Sequence, residues 1–496
     1  LTEIRDISFK RAILHCDAEL VESIRRTRPD INRDVRSAGI GVVVVTETAD
    51  QEQAVSQIVK SAFMVTAGNP RQTRAVMHTG RSKEKKKFIK KLIDASSHLT
   101  AADIRNDLSV DPLSVHVPPL VGRPDEMQLR ALTELAPGES WALVPRQLND
   151  SGDLWSPGIR VGVKPDAWFW EASKGVPVIG VTGANTLSEA IKMQNTIGSG
   201  AVTTLQSTAE SEIIHWLAES HAANLCVNKS PTAAKIGRMP TGVWNEQQAL
   251  AQPLAGGPNR LTTLGTWRIR EGSQSATLHL RGLDARVRSL IEVSQASLSY
   301  DSFDRVRRAA LADALAWNTQ FALAKDIVGL STELNTLRYV PLAVHIRASE
   351  DAELESVVRV IAAAMLTRAD FTFSTGRQMP PKIDFLLAQF GCRVLLESDE
   401  TWVERAAQLG PSVSGNGESY VQRIRLIGGD AVRVSEWLSS HKDLSVWGGA
   451  VTIAGSVELF SFLREQAISV SVTRHGFAAP LPNVEAWLKE PPISLF

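Results

Sequence analysis

Hydrophobic and polar residues follow two periods along the first half of the chain. The apolar, β-branched run at 39–47 is typical of a parallel strand buried on both faces. Asp50 then provides an N-cap, and the apolar residues that follow it up to Phe63 are spaced to form one helical face. The same order of strand and helix recurs over 176–195 and 201–220. Strands separated by helices predict βαβ units, a mostly parallel sheet and therefore an α/β fold.

This alternation stops in the middle of the chain and returns near residue 340. Residues 229–265 are rich in glycine, proline and polar residues, which predicts a long loop, and 281–335 have a mostly helical pattern. Strand and helix signals alternate again from 341–347 onward, and Ser349 is predicted to cap the first helix of this part. The pattern therefore predicts a second α/β domain in the C-terminal half.

The composition is that of an ordinary globular protein and argues against nucleic acid and membranes as partners. Of the 496 residues, 54 are Lys or Arg and 54 are Asp or Glu, so no net field attracts nucleic acid or an anionic membrane. No apolar run reaches the roughly 18 residues that a membrane span needs. The first residues do not have the pattern of a secretory signal. Three scattered cysteines argue against a disulfide framework, so a reducing, cytoplasmic location is predicted.

Common motifs of catalysis and ligand binding are absent from the sequence. The ten histidines show no metal-ligand spacing, so no metal site is predicted. Neither a GxGxxG loop nor a GxxxxGK(S/T) loop occurs. The lysine-rich segment 82–93 places its apolar residues on one face, which predicts a solvated amphipathic helix rather than a nucleic-acid site. Pattern alone therefore reaches no further than an α/β protein of two domains.

Several segments, taken together, carry a resemblance that no single motif would. They are RPD (28–30), TADQEQAVSQIVKSAF (48–63), LRALTELAPGESWALVPRQL (129–148), LWSPGIRVGVKPDAWF (154–169), MQN (193–195), AANLCVNK (222–229) and AGGPN (255–259). In order and spacing they resemble the catalytic domain of bacterial Δ1-pyrroline-5-carboxylate dehydrogenases. These enzymes, also called L-glutamate γ-semialdehyde dehydrogenases, belong to the aldehyde dehydrogenase superfamily and occur in proline utilization A proteins.

The resemblance implies a fold and a division of the chain. It covers about 10–270 and continues weakly through LRYVPL (337–342) and SFLREQAISV (461–470). The implied fold is an aldehyde-dehydrogenase-like catalytic domain, a parallel sheet with flanking helices, plus a C-terminal Rossmann-like α/β domain. The predicted parts are a remnant of the nucleotide-binding domain at 1–35, the catalytic domain at 36–265, a helical connector at 266–335, the Rossmann-like domain at 336–480 and a tail at 481–496.

The residues that the resemblance implies for catalysis are replaced. The family needs a cysteine nucleophile, and Arg71 stands in its place within AGNPRQT (67–73). A guanidinium has no lone pair with which to attack an aldehyde. The family's general base is a glutamate, and Arg36 stands in its place, where it cannot deprotonate water. Cys226 falls in a predicted strand and Cys392 in the second domain, so neither is predicted to act as a substitute nucleophile.

The cofactor and substrate positions are altered as well. Ser173 stands where the resemblance implies a glutamate that binds the nicotinamide ribose. His15 and Cys16 replace a Thr-Gly turn near the cofactor phosphates. The loop that would anchor the aldehyde keeps only its final glycines, Gly256 and Gly257, as weak substrate-binding candidates. No cofactor is therefore expected for this chain, whereas NAD would be required by an active homologue.

Three hypotheses about function remain open at this point. The first is a catalytically degenerate homologue with a structural, assembly or regulatory role, forming a homo-oligomer or pairing with proline dehydrogenase or an active paralogue. The second is NAD-dependent oxidation of L-glutamate γ-semialdehyde to glutamate, as one part of a larger proline-catabolic enzyme. The third is a gene product without function. No nucleic-acid partner and no membrane span are expected under any of them.

Overall fold

The described residues form two large sheets, each with helices packed on both faces, and two small two-stranded sheets. A computed structural model describes residues 6, 8, 11–14, 18–28, 31–35, 39–64, 69, 71–103, 109, 111, 114–198, 200–234, 237–244, 254–263, 280–326, 328–410, 421, 423–441 and 444–490. Its strands are β1 Arg11–Leu14, β2 Asn32–Val35, β3 Gly41–Val45, β4 Thr73–His78, β5 Ser140–Leu143, β6 Gly158–Val161, β7 Val178–Gly183, β8 Val202–Gln206, β9 Asn224–Val227, β10 Lys325–Asp326, β11 Glu333–Pro341, β12 Val344–Ala348, β13 Phe371–Thr375, β14 Val394–Leu396, β15 Arg423–Ile427, β16 Ser445–Trp447, β17 Leu463–Ser471, β18 Thr473–Arg474 and β19 Phe477–Ala478.

The helices lie mostly between consecutive strands, as the alternating pattern predicted. They are α1 Ala18–Thr27, α2 Gln51–Phe63, α3 Ser82–Ser97, α4 Glu126–Thr133, α5 Phe169–Ala172, α6 Leu187–Ile197, α7 Glu210–Glu219, α8 Ala285–Ser294, α9 Tyr300–Ala316, α10 Leu354–Thr367, α11 Pro381–Gln389, α12 Asp399–Leu409, α13 Ala431–Trp437, α14 Gly455–Glu458 and α15 Pro482–Lys489. Among the described residues, none of these helices combines the length and the hydropathy needed to span a bilayer.

The larger sheet has ten strands in the order β10-β11-β17-β9-β8-β3-β4-β7-β6-β5. From β17 to β6 every neighbouring pair is parallel. β3 is buried along its whole length, as its continuous apolar run predicted. Its side chains divide between two apolar clusters: Val42 and Val44 pack on the side of α6 and α7, and Val43 and Val45 on the side of α2 and α3. The predicted parallel sheet with flanking helices is confirmed.

Local signals in the sequence account for the start of α2 and for the face that α3 buries. The Asp50 side chain accepts a hydrogen bond from the backbone N–H of Gln53 at 3.1 Å, as expected of an N-cap. In the lysine-rich helix α3, Phe88 and Leu92 are buried against the sheet, whereas most of the lysines are exposed. The amphipathic interpretation of this segment is confirmed.

The strand pairing links the predicted C-terminal domain to the first sheet. β17 lies between β9, to which it is parallel, and β11, to which it is antiparallel. β11 and β17, two strands of the segment 336–480, therefore belong to the ten-stranded sheet, while the strands between them, β12–β16, form a sheet of their own. The division into domains stays a prediction. The chain passes from the ten-stranded sheet to the second sheet after β11 and returns to the ten-stranded sheet at β17.

The second sheet has five strands in the order β14-β13-β12-β15-β16, all of them parallel. Taken in chain order this is 3-2-1-4-5, the arrangement of Rossmann-like sheets. The predicted second α/β unit is confirmed. One detail differs, because α10 begins at Leu354 with Glu353 as N-cap rather than at Ser349. The backbone N–H of Ser349 instead donates to the carbonyl of Ile427, which extends the pairing of β12 with β15.

The segment expected to be a tail contains a helix that packs on the first sheet's helices. Val484 and Leu488 of α15 are buried in the same apolar cluster as Ile213 and Leu217 of α7. The carboxylate of Glu210 accepts hydrogen bonds from the first turn of α15. Pro482 stands at the first turn of this helix, where a missing N–H costs nothing.

Candidate functional site

The sequence-predicted site residues in the described part of the chain lie along one edge of the ten-stranded sheet. Because β3, β4, β7, β8, β9 and β17 are parallel, their amino ends meet at the same edge. Arg71 stands two residues before β4, and Ser173 precedes β7, its direct neighbour. Gly256 and Gly257 lie near the start of β17, which is four strand spacings from β4, roughly 19 Å at about 4.8 Å per strand.

Arg71 occupies the turn that leads into β4 and is half-buried. Its backbone N–H donates to the Asn69 side-chain oxygen at 2.9 Å, which fixes the turn. Its guanidinium is close enough to influence the thiol of Cys226 on β9, and its positive charge favours the thiolate there. Sequence reasoning placed a permanent cation at this point, and the structure adds that a cysteine lies within its electrostatic range.

Neither described cysteine has the surroundings of a nucleophile. Burial raises the pKa of the Cys226 thiol to about 11 in spite of the nearby cations Lys229 and Arg71. Burial raises the pKa of Cys392 to about 12, and two acidic neighbours add to that effect. Reactive cysteines have a lowered pKa and a solvent path, and these two thiols have neither. Their interpretation as packing residues agrees with this burial.

Ser173 lies at the C-terminal end of the short helix α5 and is fully buried. Its hydroxyl donates to the carbonyl oxygen of Trp170 at 3.0 Å, and its backbone N–H donates to that of Phe169 at 2.8 Å. A hydroxyl held in this way cannot reach a ribose. His15, Cys16 and Arg36 lie outside the described residues, so their assignments stay predictions.

A buried polar cluster, which we call the Glu465 cluster, lies beside the two glycines. The Glu465 carboxylate accepts from the backbone N–H of Leu254 at 2.6 Å and from the Asn259 side-chain amide at 2.8 Å. The same amide nitrogen of Asn259 lies 2.8 Å from the Tyr339 hydroxyl oxygen, and the Asn259 oxygen accepts from Gln320 at 3.0 Å. The cluster joins β17, β11, the turn after α9 and the loop at 254–259 that contains the two glycines.

The glycine loop, residues 254–259, is short and fixed at both ends. Thr241 and Ala255 exchange backbone hydrogen bonds of 3.1 and 2.8 Å. Gly256 has a φ of +79°, which an L side chain rarely adopts. A Cβ on Gly257 would lie 3.1 Å from the Leu254 carbonyl oxygen, so a larger residue would require the loop backbone to shift by a few tenths of an ångström. The loop conformation therefore depends on both glycines and on Glu465.

Burial dominates the electrostatics of this cluster. It raises the pKa of Glu465 to about 7, although the Asn259 amide, the Leu254 N–H and the charge of Arg260 all act in the opposite direction. Burial also raises the pKa of Tyr339 to about 12, so its hydroxyl stays neutral at physiological pH. Glu465 is thus the member of the cluster that titrates near neutrality.

The second sheet has a crevice of its own at the point where its strand order reverses, between β12 and β15. In Rossmann-like sheets nucleotide phosphates bind at such a point. Here the Asp351 carboxylate accepts from the backbone N–H of Gly429 at 2.8 Å. A Cβ on Gly428 would lie 2.3 Å from the same carboxylate oxygen. The exposed Asp351 carboxylate therefore already accepts from a backbone N–H group at this point, and its negative charge disfavours an anion beside it.

This arrangement makes Gly428 sensitive to substitution. We expect Gly428→Ala to destabilise the protein by about 1–3 kcal/mol, because its φ of +70° is strained for alanine and the new Cβ meets Asp351. Urea denaturation would measure the change. Gly449→Ala is the matched control, since Gly449 has open space around its Cβ position, and it should change stability by less than about 0.5 kcal/mol.

Sequence reasoning missed the Glu465 cluster, although Glu465 and Asn259 both lie in segments that carried the family resemblance. The available signal was a charged residue inside the strand pattern of 463–471, where β17 is buried on both sides. A buried carboxylate requires partners, but a strand pattern does not show which distant loop supplies them. Within the described residues, no group of His, Cys, Asp and Glu is arranged to hold a metal ion.

Comparison with known proteins agrees with the fold. The aldehyde dehydrogenase family matches residues 36–246. The structure of proline utilization A from Corynebacterium freiburgense is similar over 96% of this chain and 43% of that chain, with 28% identity and a TM-score of 0.75. This chain thus spans less than half the length of that protein. The corresponding protein from Bdellovibrio bacteriovorus has 19% identity over 52% of this chain and 27% of its own, with a TM-score of 0.45.

A separate dehydrogenase is also among the similar structures. The 1-pyrroline-5-carboxylate dehydrogenase from Thermus thermophilus has 19% identity over 49% of this chain and 47% of its own, with a TM-score of 0.42. A comparison with curated protein sequences gives no match.

Proposed function

We propose that this chain is a catalytically degenerate homologue of L-glutamate γ-semialdehyde dehydrogenase, and the match of residues 36–246 to the aldehyde dehydrogenase family supports this. Its role is then structural, in assembly, or regulatory. The observation that carries the proposal is the state of the described thiols. Oxidation of an aldehyde in this family requires a thiolate, and burial raises the pKa values of Cys226 and Cys392 far above neutrality.

The residues that would meet NAD do not fit it either. The Ser173 hydroxyl is buried and bonded to a backbone carbonyl, so it cannot hold a ribose. In the second sheet, the Asp351 carboxylate accepts from the Gly429 N–H where the strand order reverses, and its charge argues against a phosphate at that point. No catalytic step through NAD is therefore assigned to the described part of the chain.

One observation favours an alternative, which is NAD-dependent oxidation of L-glutamate γ-semialdehyde as part of a larger proline-catabolic enzyme. The chain covers 43% of the similar proline utilization A protein. A segment outside this chain, or a partner subunit such as proline dehydrogenase or an active paralogue, would then supply the reactive groups.

A turnover assay of the purified chain, alone and mixed with proline dehydrogenase, separates the two, because the alternative requires a partner or another segment for turnover. We expect the purified chain, given NAD and L-glutamate γ-semialdehyde, to produce reduced cofactor no faster than a blank, because neither of the two described thiols is accessible or has a lowered pKa. The matched control is the Cys16→Ser, Cys226→Ser, Cys392→Ser variant, which should behave identically. Turnover above the blank that this variant loses would overturn the proposal.

Binding measurements test the cofactor and the partner separately. NAD at about 100 times its dissociation constant would stabilise a binding protein by about 2.7 kcal/mol, and we expect no such shift in thermal unfolding. A pull-down with purified proline dehydrogenase tests the assembly role. Retention of that enzyme supports it, and an empty lane together with a monomeric sedimentation profile counts against both partner and homo-oligomer.

A further inference from the structure

The loop at 254–259 depends on a carboxylate that comes from a distant part of the chain. Glu465 lies on β17, and both of its oxygens are used: Oε2 accepts from the Leu254 N–H at 2.6 Å and Oε1 accepts from the Asn259 amide at 2.8 Å. The Trp244 indole donates to the backbone carbonyl of Glu465 at 2.8 Å, which fixes the strand beside the loop. All three contacts are buried.

We propose that Glu465 is the positioning residue of the glycine loop and that its ionisation sets how firmly the loop is held. An ionised carboxylate has two accepting oxygens for the two N–H donors. Protonation of either oxygen makes it an O–H group that accepts only weakly, so the hydrogen bond from one of the two N–H groups, at Leu254 or at Asn259, is weakened. A buried donor with a poor acceptor is costly, and the loop is held less firmly at that contact.

The surroundings make this exchange accessible near neutral pH. Burial raises the pKa of Glu465 to about 7. The titratable groups that face it from neighbouring elements are Tyr339 on β11, neutral because its pKa is raised to about 12, and Arg260 just after the loop, whose charge favours the carboxylate. On its own strand, Arg464 turns away and lies 3.9 Å from the ring centroid of Trp244. No cation pairs directly with Glu465 in the described contacts, which leaves it free to titrate.

Protonation of Glu465 stabilises the folded chain as a whole but weakens the hold on the glycine loop. Since the native pKa lies above the usual 4.5, the folded chain binds the proton more tightly than the unfolded chain does. The stabilisation from the neutral form is complete below 4.5, declines as pH rises and is lost above about 7. The whole protein therefore favours the neutral form, whereas the loop is held more firmly by the ionised form.

Hydrogen exchange at the Leu254 amide tests the proposal directly. In the full chain, the protection factor of this amide or of the Asn259 side-chain amide, depending on which oxygen takes the proton and corrected for the intrinsic rate, should fall roughly tenfold or more between about pH 8 and about pH 6. In Glu465→Gln, which is uncharged at every pH, it should be low at both. Protection that does not vary with pH at either amide in the wild-type chain would overturn the proposal.

A matched control separates a local effect from a general one. Glu333→Gln removes a different buried carboxylate, paired with Lys229 and Arg238, and should leave the pH response of Leu254 intact. A lost response in this variant would contradict the assignment to Glu465. Should Glu465→Gln fail to fold, the carboxyl carbon of Glu465 in the wild-type chain can be titrated by NMR, and a midpoint far from 7 would overturn the proposal.

The proposed hold of Glu465 on the glycine loop is argued from geometry and does not depend on what the loop binds. Its importance for a ligand at Gly256 and Gly257 rests on the proposed function. The exchange experiment needs no ligand, so it can support the role of Glu465 even when turnover and NAD binding are absent. A negative exchange result, in turn, leaves the turnover result unaffected.

Discussion

Glu458→Ala is expected to destabilise the protein by about 3–5 kcal/mol, one of the two largest effects among single substitutions. Glu458 is fully buried at the end of α14 and accepts from the Arg425 guanidinium at 2.7 Å and from the Thr452 backbone N–H at 3.0 Å. Burial alone would raise its pKa, but the charges of Arg425 and Arg359 hold the pKa below its usual value. Removing the carboxylate leaves buried positive charge without its compensation.

Chemical denaturation of the purified variants measures this effect. The control is Glu485→Ala, which removes a carboxylate from the exposed pair of Glu485 with Lys489 on α15 and should cost less than about 1 kcal/mol. Equal, small losses in the two variants would show that the buried pair is not needed. The neighbouring pair of Asp313 with Arg359 has a bidentate geometry of 2.6 and 2.8 Å. The loss of stability in a variant with both Glu458→Ala and Asp313→Ala should therefore differ from the sum of the two single losses.

Ile468→Pro is expected to cost more than about 3 kcal/mol and to prevent recovery of folded protein at ordinary temperatures. Ile468 is fully buried at the centre of β17, opposite Thr336 on β11 and Leu225 on β9. Proline removes a backbone donor in a strand that is paired on both sides, and such strands do not accommodate it.

The volume-matched control is Ile468→Val, which removes one methylene and keeps the backbone donor. It should cost about 0.5–1.5 kcal/mol. Circular dichroism and the yield of monodisperse protein distinguish a broken sheet from a small cavity. A stable, well-folded Ile468→Pro variant would show that β17 is not required to hold the sheet together.

The elements that were predicted correctly are those whose signals are local. The apolar run of β3 and the Asp50 cap of α2 each depend on a few consecutive residues, and the structure has both. Ser349 failed as a cap because its backbone N–H pairs with Ile427 from another strand. A tertiary contact of this kind overrides a local preference and leaves no trace in the residues around it.

The candidate site shows the same limit. Family resemblance located Arg71 and Ser173, and strand order then placed them on adjacent strands at one edge. It gave no indication that Ser173 is fully buried or that Cys226 lies within the field of Arg71. Nor did it join Asn259 to Glu465, since that contact links residues 206 positions apart. Burial and long-range pairing are properties of the assembled fold.

The place of β17 also has a consequence for biosynthesis. β9 leaves the ribosome long before residues 463–471 are made, and β11 follows with one of its edges equally open. Open strand edges pair readily with other chains. A nascent chain that pauses before β17 emerges would therefore expose two such edges at once, and intermediates of this kind are prone to aggregate. Steady elongation through this strand, or shielding by a chaperone until it appears, becomes a condition for producing the protein in folded form.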